Sequence, residues 1–149
     1  MQVMITSPLS GTVVPLEQVE DQMFAEKVMG DGVAVRPDAA DVVAPVGGHL
    51  AKLFPGGHGM AIVTPEGVEV LVHIGLETVH LRGDGFEVVA TEGDTVEAGD
   101  LLARVDLARL AELGVDAVSP VVILSDQPVR AVASGRVRTG DPLFEVVLG

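Results

Sequence analysis

The chain of 149 residues contains no cysteine, no tryptophan and no tyrosine, and it has only four phenylalanines. Without cysteine, disulfide bonds, thiolate nucleophiles, iron–sulfur clusters and cysteine-ligated zinc are excluded. With so few aromatic side chains, there is no surface on which nucleic-acid bases would stack. Basic residues are also scarce, 9 against 22 acidic ones, which gives a formal net charge of −13. This charge repels phosphate backbones, so we expect no nucleic-acid partner.

Long hydrophobic runs are missing as well. No segment reaches the roughly 18 consecutive apolar residues that a membrane-spanning helix needs. Residues 1–5 lack the basic region and the apolar stretch of a signal peptide. We therefore expect no membrane insertion and a cytoplasmic location. The length predicts a single domain over residues 1–149.

What the chain does have is valine-rich runs that are short and separated by turn signals. Glycine pairs with Asp, Gly or Pro at close intervals, for example at 30–32, 55–57 and 93–94. This spacing favours an all-β fold. We predict a sandwich or barrel of short, mostly antiparallel strands, similar to a barrel-sandwich hybrid. Segments 7–13 and 44–50 resemble each other, as do 98–105 and 139–146, which indicates hairpin units used more than once.

One segment predicts a short helix. Asp106 is a suitable N-cap, leucines at 107, 110 and 113 form one stripe, and Gly114 can take the left-handed conformation that ends a helix. We expect this helix near 107–113. A weaker helical turn is expected after Pro15.

The candidates for chemistry are two of the four histidines. β-Branched residues at 68, 70, 72 and 74 alternate with Glu69, Leu71 and His73. Side chains of a strand alternate between its faces, so the β-branched set faces the core and His73 points away from it. Leu71 shares the face of His73.

The turn at 64–67 makes 58–63 and 68–74 a predicted hairpin, for which two registers are open. In one register His58 lies directly opposite His73, with Cβ atoms about 5 Å apart. In the other, a type I turn with a bulge at Gly67 separates the two side chains. Two facing histidines can bind a metal if a third ligand is present. Alternatively, one imidazole nitrogen attacks phosphorus and the other imidazole stabilises the developing charge.

Several segments together resemble a known family. The run from Val72 to Val79 and the run from Leu81 to Phe86 are similar to the active-site signature of the glucose-family enzyme IIA. This family is the cytoplasmic phosphocarrier of the bacterial phosphoenolpyruvate-dependent sugar phosphotransferase system. Further segments match the family pattern in order: 7–11, 24–32, 43–46, 119–122 and 140–143.

The resemblance implies a phosphotransferase component that carries a phosphoryl group as a phosphohistidine. It implies that His73 accepts the group through Nε2 from the phosphocarrier HPr, and that His58 assists. The group then passes to the IIB domain of a glucose-type sugar permease. No cofactor is required. The implied partner-binding residues are Phe24, Val28, Met29, Phe54, Met60, Leu71, Glu77 and Val79.

The resemblance also favours the register in which the two histidines face each other. In some relatives the unphosphorylated form binds regulated transporters or kinases. Three positions depart from the family pattern: Gly56 replaces a usual Thr, Gly59 a usual Ala, and Glu77 a usual Asp. We expect these changes to affect the transfer rate or partner choice.

Two alternatives come from other functional classes. A metallohydrolase would use His58 and His73 as zinc ligands, but the HxH and HExxH spacings are absent. In relatives, two such histidines hold zinc together with a carboxylate from a partner. A lipoyl- or biotinyl-like binding module is suggested by the segment 93–102. That segment has no lysine for the cofactor, since the chain has only Lys27 and Lys52.

Overall fold

The computed structural model describes every residue from Met1 to Gly149. Short strands dominate it, in agreement with the many turn signals. Two α-helices are present, α1 (Gln22–Ala25) and α2 (Leu107–Glu112), and 3-10 turns occupy Leu16–Gln18 and Thr78–Leu81. No helix has the length and apolar character needed to cross a membrane. The strands are β1 (Gln2–Thr6), β2 (Gly11–Val14), β3 (Asp31–Pro37), β4 (Asp41–Val43), β5 (Gly48–Leu53), β6 (Gly59–Val63), β7 (Glu69–His73), β8 (Phe86–Val88), β9 (Thr95–Val96), β10 (Leu101–Val105), β11 (Ser119–Ile123), β12 (Val129–Arg130), β13 (Arg136–Val137) and β14 (Pro142–Val147).

All strand pairs are antiparallel, which confirms the predicted fold class. One eight-stranded sheet has the order β13-β2-β3-β11-β7-β6-β5-β9. Two three-stranded sheets have the orders β1-β14-β12 and β4-β10-β8. The large sheet is open, with β13 and β9 at its edges, so the molecule is not a closed barrel.

The large sheet has apolar side chains on both of its faces. Its inner face contributes to the main core of 25 buried residues, which includes the four β-branched residues at 68, 70, 72 and 74. This confirms the predicted inward face of β7. On the outer face, residues from β3, β11 and β7 pack with residues of the segment 15–30 that joins β2 to β3. We call this group the outer cluster: Leu16, Val19, Phe24, Ala34, Leu71, Leu76, Val118 and Val122.

The internal repeats correspond to a structural duplication. Gly11 of β2 pairs with Val137, and Gly48 of β5 pairs with Val96, in matching positions at the two ends of the large sheet. The two Gly-Asp turns are also alike. The Asp100 carboxylate accepts from the N–H of Glu97 at 2.9 Å, and the Asp141 carboxylate accepts from the N–H of Arg138 at 2.8 Å. The sequence repeats therefore mark equivalent hairpins.

The β6–β7 hairpin takes the register with a bulge. Gly59 lies opposite His73, and Ala61 lies opposite Leu71. Gly67 has φ of 88°, its N–H donates to Thr64, and the Thr64 N–H in turn donates to Val68. A two-residue type I′ turn needs a positive φ at position 65, which proline cannot adopt. The turn therefore contains one extra residue, and Gly67 takes the positive φ of the bulge. The expectation that His58 pairs directly with His73 is therefore wrong.

The predicted helix is present as α2. The Asp106 carboxylate accepts from the N–H of Arg109 at 3.0 Å, and Gly114 has φ of 73°, as the capping pattern indicated. The expected turn after Pro15 is the 3-10 turn Leu16–Gln18. Helix α1 and the 3-10 turn Thr78–Leu81 were not predicted. Both have only four residues, too few for a hydrophobic periodicity to be visible.

Replacing Gly67 by Ala tests the turn that sets this register. We expect the free energy of unfolding to fall by about 1 kcal/mol, because a Cβ disfavours the left-handed conformation. No atom lies within 4 Å of the position of an added Cβ, so the loss reports backbone strain alone. Urea denaturation measures it. Asn tolerates positive φ, so Gly67→Asn should lose less; equal stability of Gly67→Ala and the parent would contradict this explanation.

Candidate functional site

The two candidate histidines lie side by side at one end of the β6–β7 hairpin. His73 is the last residue of β7, and His58 immediately precedes β6. Their ring centroids are 5.4 Å apart and the ring planes are inclined by 72°. The structure thus brings the two predicted residues together although their backbones are not paired.

The loop between β5 and β6 explains how His58 reaches His73. Gly56 and Gly57 have φ of 93° and 89°, which lets the chain reverse sharply just before His58. The loop is closed by a hydrogen bond of 2.9 Å from the Phe54 N–H to the Gly59 carbonyl. Because His58 lies in this loop, its side chain does not follow the alternation of the strand.

Gly59 leaves an open space on the sheet face in front of His73, and Phe54 fills it. A Cβ added at Gly59 would lie only 2.6 Å from a carbon of the Phe54 ring. The centroid of this ring is 5.3 Å from that of His58 and 6.4 Å from that of His73. Phe24 of α1 also packs against His73, with the two ring centroids 5.6 Å apart. Aromatic rings therefore contact both imidazoles; His58 is buried and His73 is partly buried.

A hydrogen bond fixes the tautomer of His73. Its Nδ1 lies 2.7 Å from the carbonyl oxygen of Gly75. A carbonyl can only accept, so Nδ1 carries the proton. In the neutral ring, Nε2 is then left with its lone pair. This is the nitrogen that the family resemblance assigned as the acceptor.

Burial keeps both rings neutral. It lowers the pKa of His73 below its ordinary value of about 6.5, although the hydrogen bond to Gly75 and the negative charge of Asp21 act in the opposite direction. Burial also lowers the pKa of His58. The proximity of His73 lowers it further, and a hydrogen bond to the Pro55 carbonyl opposes the shift. At neutral pH the site therefore offers an uncharged nucleophile.

The predicted partner residues divide by exposure. Val28 and Val79 are exposed, with relative exposures of 63% and 54%. Glu77 is exposed as well, and Met29 and Phe54 are partly buried. These five are the predicted partner residues that reach the surface, and we call them the rim; Phe54 among them contacts both histidine rings.

The structure corrects the assignment of the other three. Met60 is fully buried in the main core, because it pairs with Val72 and shares its inward face. Phe24 and Leu71 lie on the correct face, but they are only 5% and 2% exposed and belong to the outer cluster. Phe24 packs against His73 and Leu71 lies on the same sheet face, and their low exposure leaves little surface for a partner.

Two of the departures from the family pattern have a structural setting. A Cβ at Gly56 would lie 2.8 Å from the Gly83 nitrogen, so the loop as folded has no room for a side chain there. Glu77 has φ of 58°, a left-handed conformation in which Asp is more common than Glu.

The structure lacks the full set of residues that either alternative function needs. No group of three or more His, Asp or Glu side chains is arranged to hold a metal ion. The two histidines alone do not complete the three-ligand set of a catalytic zinc site. The segment 93–102 folds into β9 and the start of β10 without a lysine to carry lipoyl or biotinyl.

Sequence reasoning missed two contributors to the site. Asp21 caps α1 by accepting from the Met23 N–H at 2.9 Å, and its charge acts on His73. An Asp three residues before Phe24 is a capping signal that could have revealed it. Gly75 supplies a backbone carbonyl, which no side-chain pattern could indicate.

A family model, a relative and a solved structure all indicate the same family for this chain. The family model of the phosphoenolpyruvate-dependent sugar phosphotransferase system, EIIA 1, matches residues 3–129. The PTS system glucose-specific EIIA component of Halalkalibacterium halodurans is 48% identical over 120 residues, which are 80% of this chain and 69% of that protein. The solved structure of glucose permease IIA from Mycoplasma capricolum is 39% identical and has a TM-score of 0.94, covering 97% of this chain and 96% of that chain.

The protonation of the pair can be measured directly. NMR titration should give midpoints below about 6.5 for both His58 and His73, since burial disfavours their charged forms. The unfolded chain then binds more protons than the folded chain as the pH falls below about 6.5, so the free energy of unfolding should fall there. The double variant His58→Gln/His73→Gln should lose this part of the pH dependence. Midpoints at or above 6.5 would contradict the assignment.

Gly59→Ala tests whether the missing Cβ allows Phe54 to close over the histidines. We expect the ring to be displaced, with a loss of stability of about 1 kcal/mol and a rise in the pKa of His58 as its burial decreases. Urea denaturation and NMR titration measure the two effects. Gly47→Ala is a matched control, because its added Cβ would lie 3.6 Å from the nearest atom. An unchanged His58 titration in Gly59→Ala would refute this role for Phe54.

Proposed function

Because the chain belongs to the EIIA 1 family of the phosphoenolpyruvate-dependent sugar phosphotransferase system, we propose that His73 carries a phosphoryl group between two proteins. The donor is phosphorylated HPr, and the acceptor is the IIB domain of a sugar permease. The observation that supports this most directly is the unprotonated Nε2 of a neutral His73 beside a second neutral imidazole. No cofactor takes part in the exchange.

In the accepting step, the lone pair on His73 Nε2 attacks the phosphorus of phospho-HPr. The new N–P bond forms as the bond from phosphorus to the donor's ring nitrogen breaks, and that nitrogen keeps the electron pair. The Nδ1 proton of His73 stays on its ring, which thereby becomes positively charged. The Gly75 carbonyl and the Asp21 carboxylate stabilise this charge, since both favour the charged form of the ring.

His58 assists without carrying the group. Once the phosphoryl oxygens are on His73, their negative charge favours the protonated form of the neighbouring His58. Both nitrogens of a charged imidazole are donors, so His58 can donate to a phosphoryl oxygen on the neighbouring ring. The resulting charge-assisted bond stabilises the phosphoryl group as it leaves for the next protein.

The rim gives the two partners a common docking surface. Val28 and Val79 are exposed and Met29 and Phe54 are half-buried, so the rim offers apolar surface on which a partner can exclude water from the N–P bond. Glu77 is exposed and negatively charged, and the whole chain has a net charge of −13. Partners with basic docking faces are therefore favoured. We propose a glucose-type sugar permease as the source of the IIB domain.

The proposal is tested by incubating the protein with phosphoenolpyruvate, enzyme I and HPr and then mapping the phosphorylated residue. His73→Gln should abolish labelling, because the proposal assigns the phosphoryl group to His73 and gives His58 only an assisting role. His58→Gln should still be labelled, but its transfer to IIB should fall by about a hundredfold, in the range expected for loss of a general acid or charge-stabilising group.

Histidines outside the site serve as controls. His49 and His80 are exposed and touch neither ring of the pair, so His49→Gln and His80→Gln should be labelled at the parent rate. Normal labelling of His73→Gln, or a phosphoryl group mapped to His58 in the parent protein, would disprove the assignment.

A further inference from the structure

Two buried hydroxyl groups hold the peptide that follows His73. The Thr78 Oγ1 donates to the carbonyl of Ile74 at 2.6 Å, and the Gly75 N–H donates to Ser119 Oγ at 3.2 Å. The Ser119 hydroxyl donates in turn to the Ala117 carbonyl at 2.8 Å. Thr78 and Ser119 are both fully buried. The Ile74–Gly75 peptide is thus fixed at both its oxygen and its nitrogen.

The next peptide is fixed as well. The Leu76 N–H donates to the Asp116 carbonyl at 2.9 Å, so the peptide that carries the Gly75 oxygen is tied to the segment before β11. Gly75 has φ of 73°, and an added Cβ would lie 2.7 Å from the Thr78 methyl group. With these contacts in place, the Gly75 carbonyl points toward Nδ1 of His73.

We propose that Thr78 and Ser119 are positioning residues that hold His73 in its Nδ1–H tautomer. They act on His73 only through Gly75, because the hydrogen bonds of both hydroxyls go to the backbone. The consequence for phosphoryl transfer rests on the function proposed above. The effect on the tautomer does not, since it depends on the hydrogen bonds alone.

Loss of either hydroxyl frees one end of the Ile74–Gly75 peptide. In Thr78→Val the Ile74 carbonyl loses its hydroxyl donor, and in Ser119→Ala the Gly75 N–H loses its acceptor, so the peptide turns to find another partner. The Gly75 carbonyl is then held only through the Leu76 N–H bond to Asp116, so it lies near Nδ1 for part of the time. For the rest of the time the ring is free to carry its proton on Nε2. A ring protonated at Nε2 has no lone pair there with which to attack phosphorus.

The experiment reads the tautomer by NMR of protein labelled with ¹⁵N at histidine, at a pH above both titrations. The parent should show His73 protonated at Nδ1, and Thr78→Val and Ser119→Ala should show a mixture of the two tautomers. The rate of phosphorylation by phospho-HPr should fall about tenfold, by analogy with the loss caused by removing a group that orients a metal-binding histidine.

Conservative and matched variants separate positioning from general destabilisation. Thr78→Ser and Ser119→Thr keep the hydroxyls and should keep the parent tautomer and rate. Ser7 is a fully buried serine whose hydroxyl donates to the Leu9 carbonyl at 2.6 Å, away from the site. Ser7→Ala should therefore lose stability without changing the tautomer.

Each outcome decides the proposal. A parent spectrum with the proton on Nε2, or variants that keep the pure Nδ1–H tautomer, would overturn it, whatever happens to the rate. If Thr78→Val does not fold, Ser119→Ala answers the same question from the other end of the peptide. Mixed tautomers in the variants of a protein that HPr never phosphorylates would support the positioning role and refute the proposed function.

Discussion

The hydrogen bond from Nδ1 of His73 to the Gly75 carbonyl is the interaction on which the site depends. Burial lowers the pKa of the ring and keeps it neutral, but burial alone does not decide which nitrogen holds the proton. The carbonyl decides it, at 2.7 Å, and leaves the lone pair on Nε2. In the proposed transfer, the same bond also favours the positive ring that phosphorylation of His73 produces. One backbone acceptor would then serve both the free and the phosphorylated state.

The outer cluster explains why a reactive histidine lies on an otherwise apolar sheet face. The segment 15–30 covers the middle of the large sheet, and His73 lies at the margin of this cover, beside Phe24. The internal duplication gives a comparison within the chain. In the strand pair β3–β11, Gly32 lies opposite Val122, as Gly59 lies opposite His73 in the equivalent pair β6–β7. Val122 is buried in the outer cluster, so only one half of the duplicated fold presents a nucleophile.

The glycines at 56, 57 and 59 determine the arrangement of the His58 and His73 rings more than the pairing of β6 with β7 does. The register places Gly59, and not His58, across from His73. The positive φ values of Gly56 and Gly57 turn the chain so that the His58 ring still contacts that of His73. Because Gly59 has no side chain, the Phe54 ring can pack directly over it. The departures at 56 and 59 therefore have a shared setting in this loop. The backbone takes a path that side chains at these positions would obstruct.

Local sequence patterns are enough to predict the fold class, a helix near 107–113 and the face of β7 on which His73 lies, because hydrophobic alternation and capping residues act over a few neighbouring positions. These patterns do not show what covers that face, and Met60, Phe24 and Leu71 are therefore more buried than predicted. They also leave two hairpin registers open, and the conformation of the turn at Gly67 selects one of them. The contact of His58 with His73, the position of Asp21 near His73 and the tautomer set by Gly75 arise only in the folded chain. They depend on irregular backbone and on segments distant in sequence, whose placement no local pattern encodes.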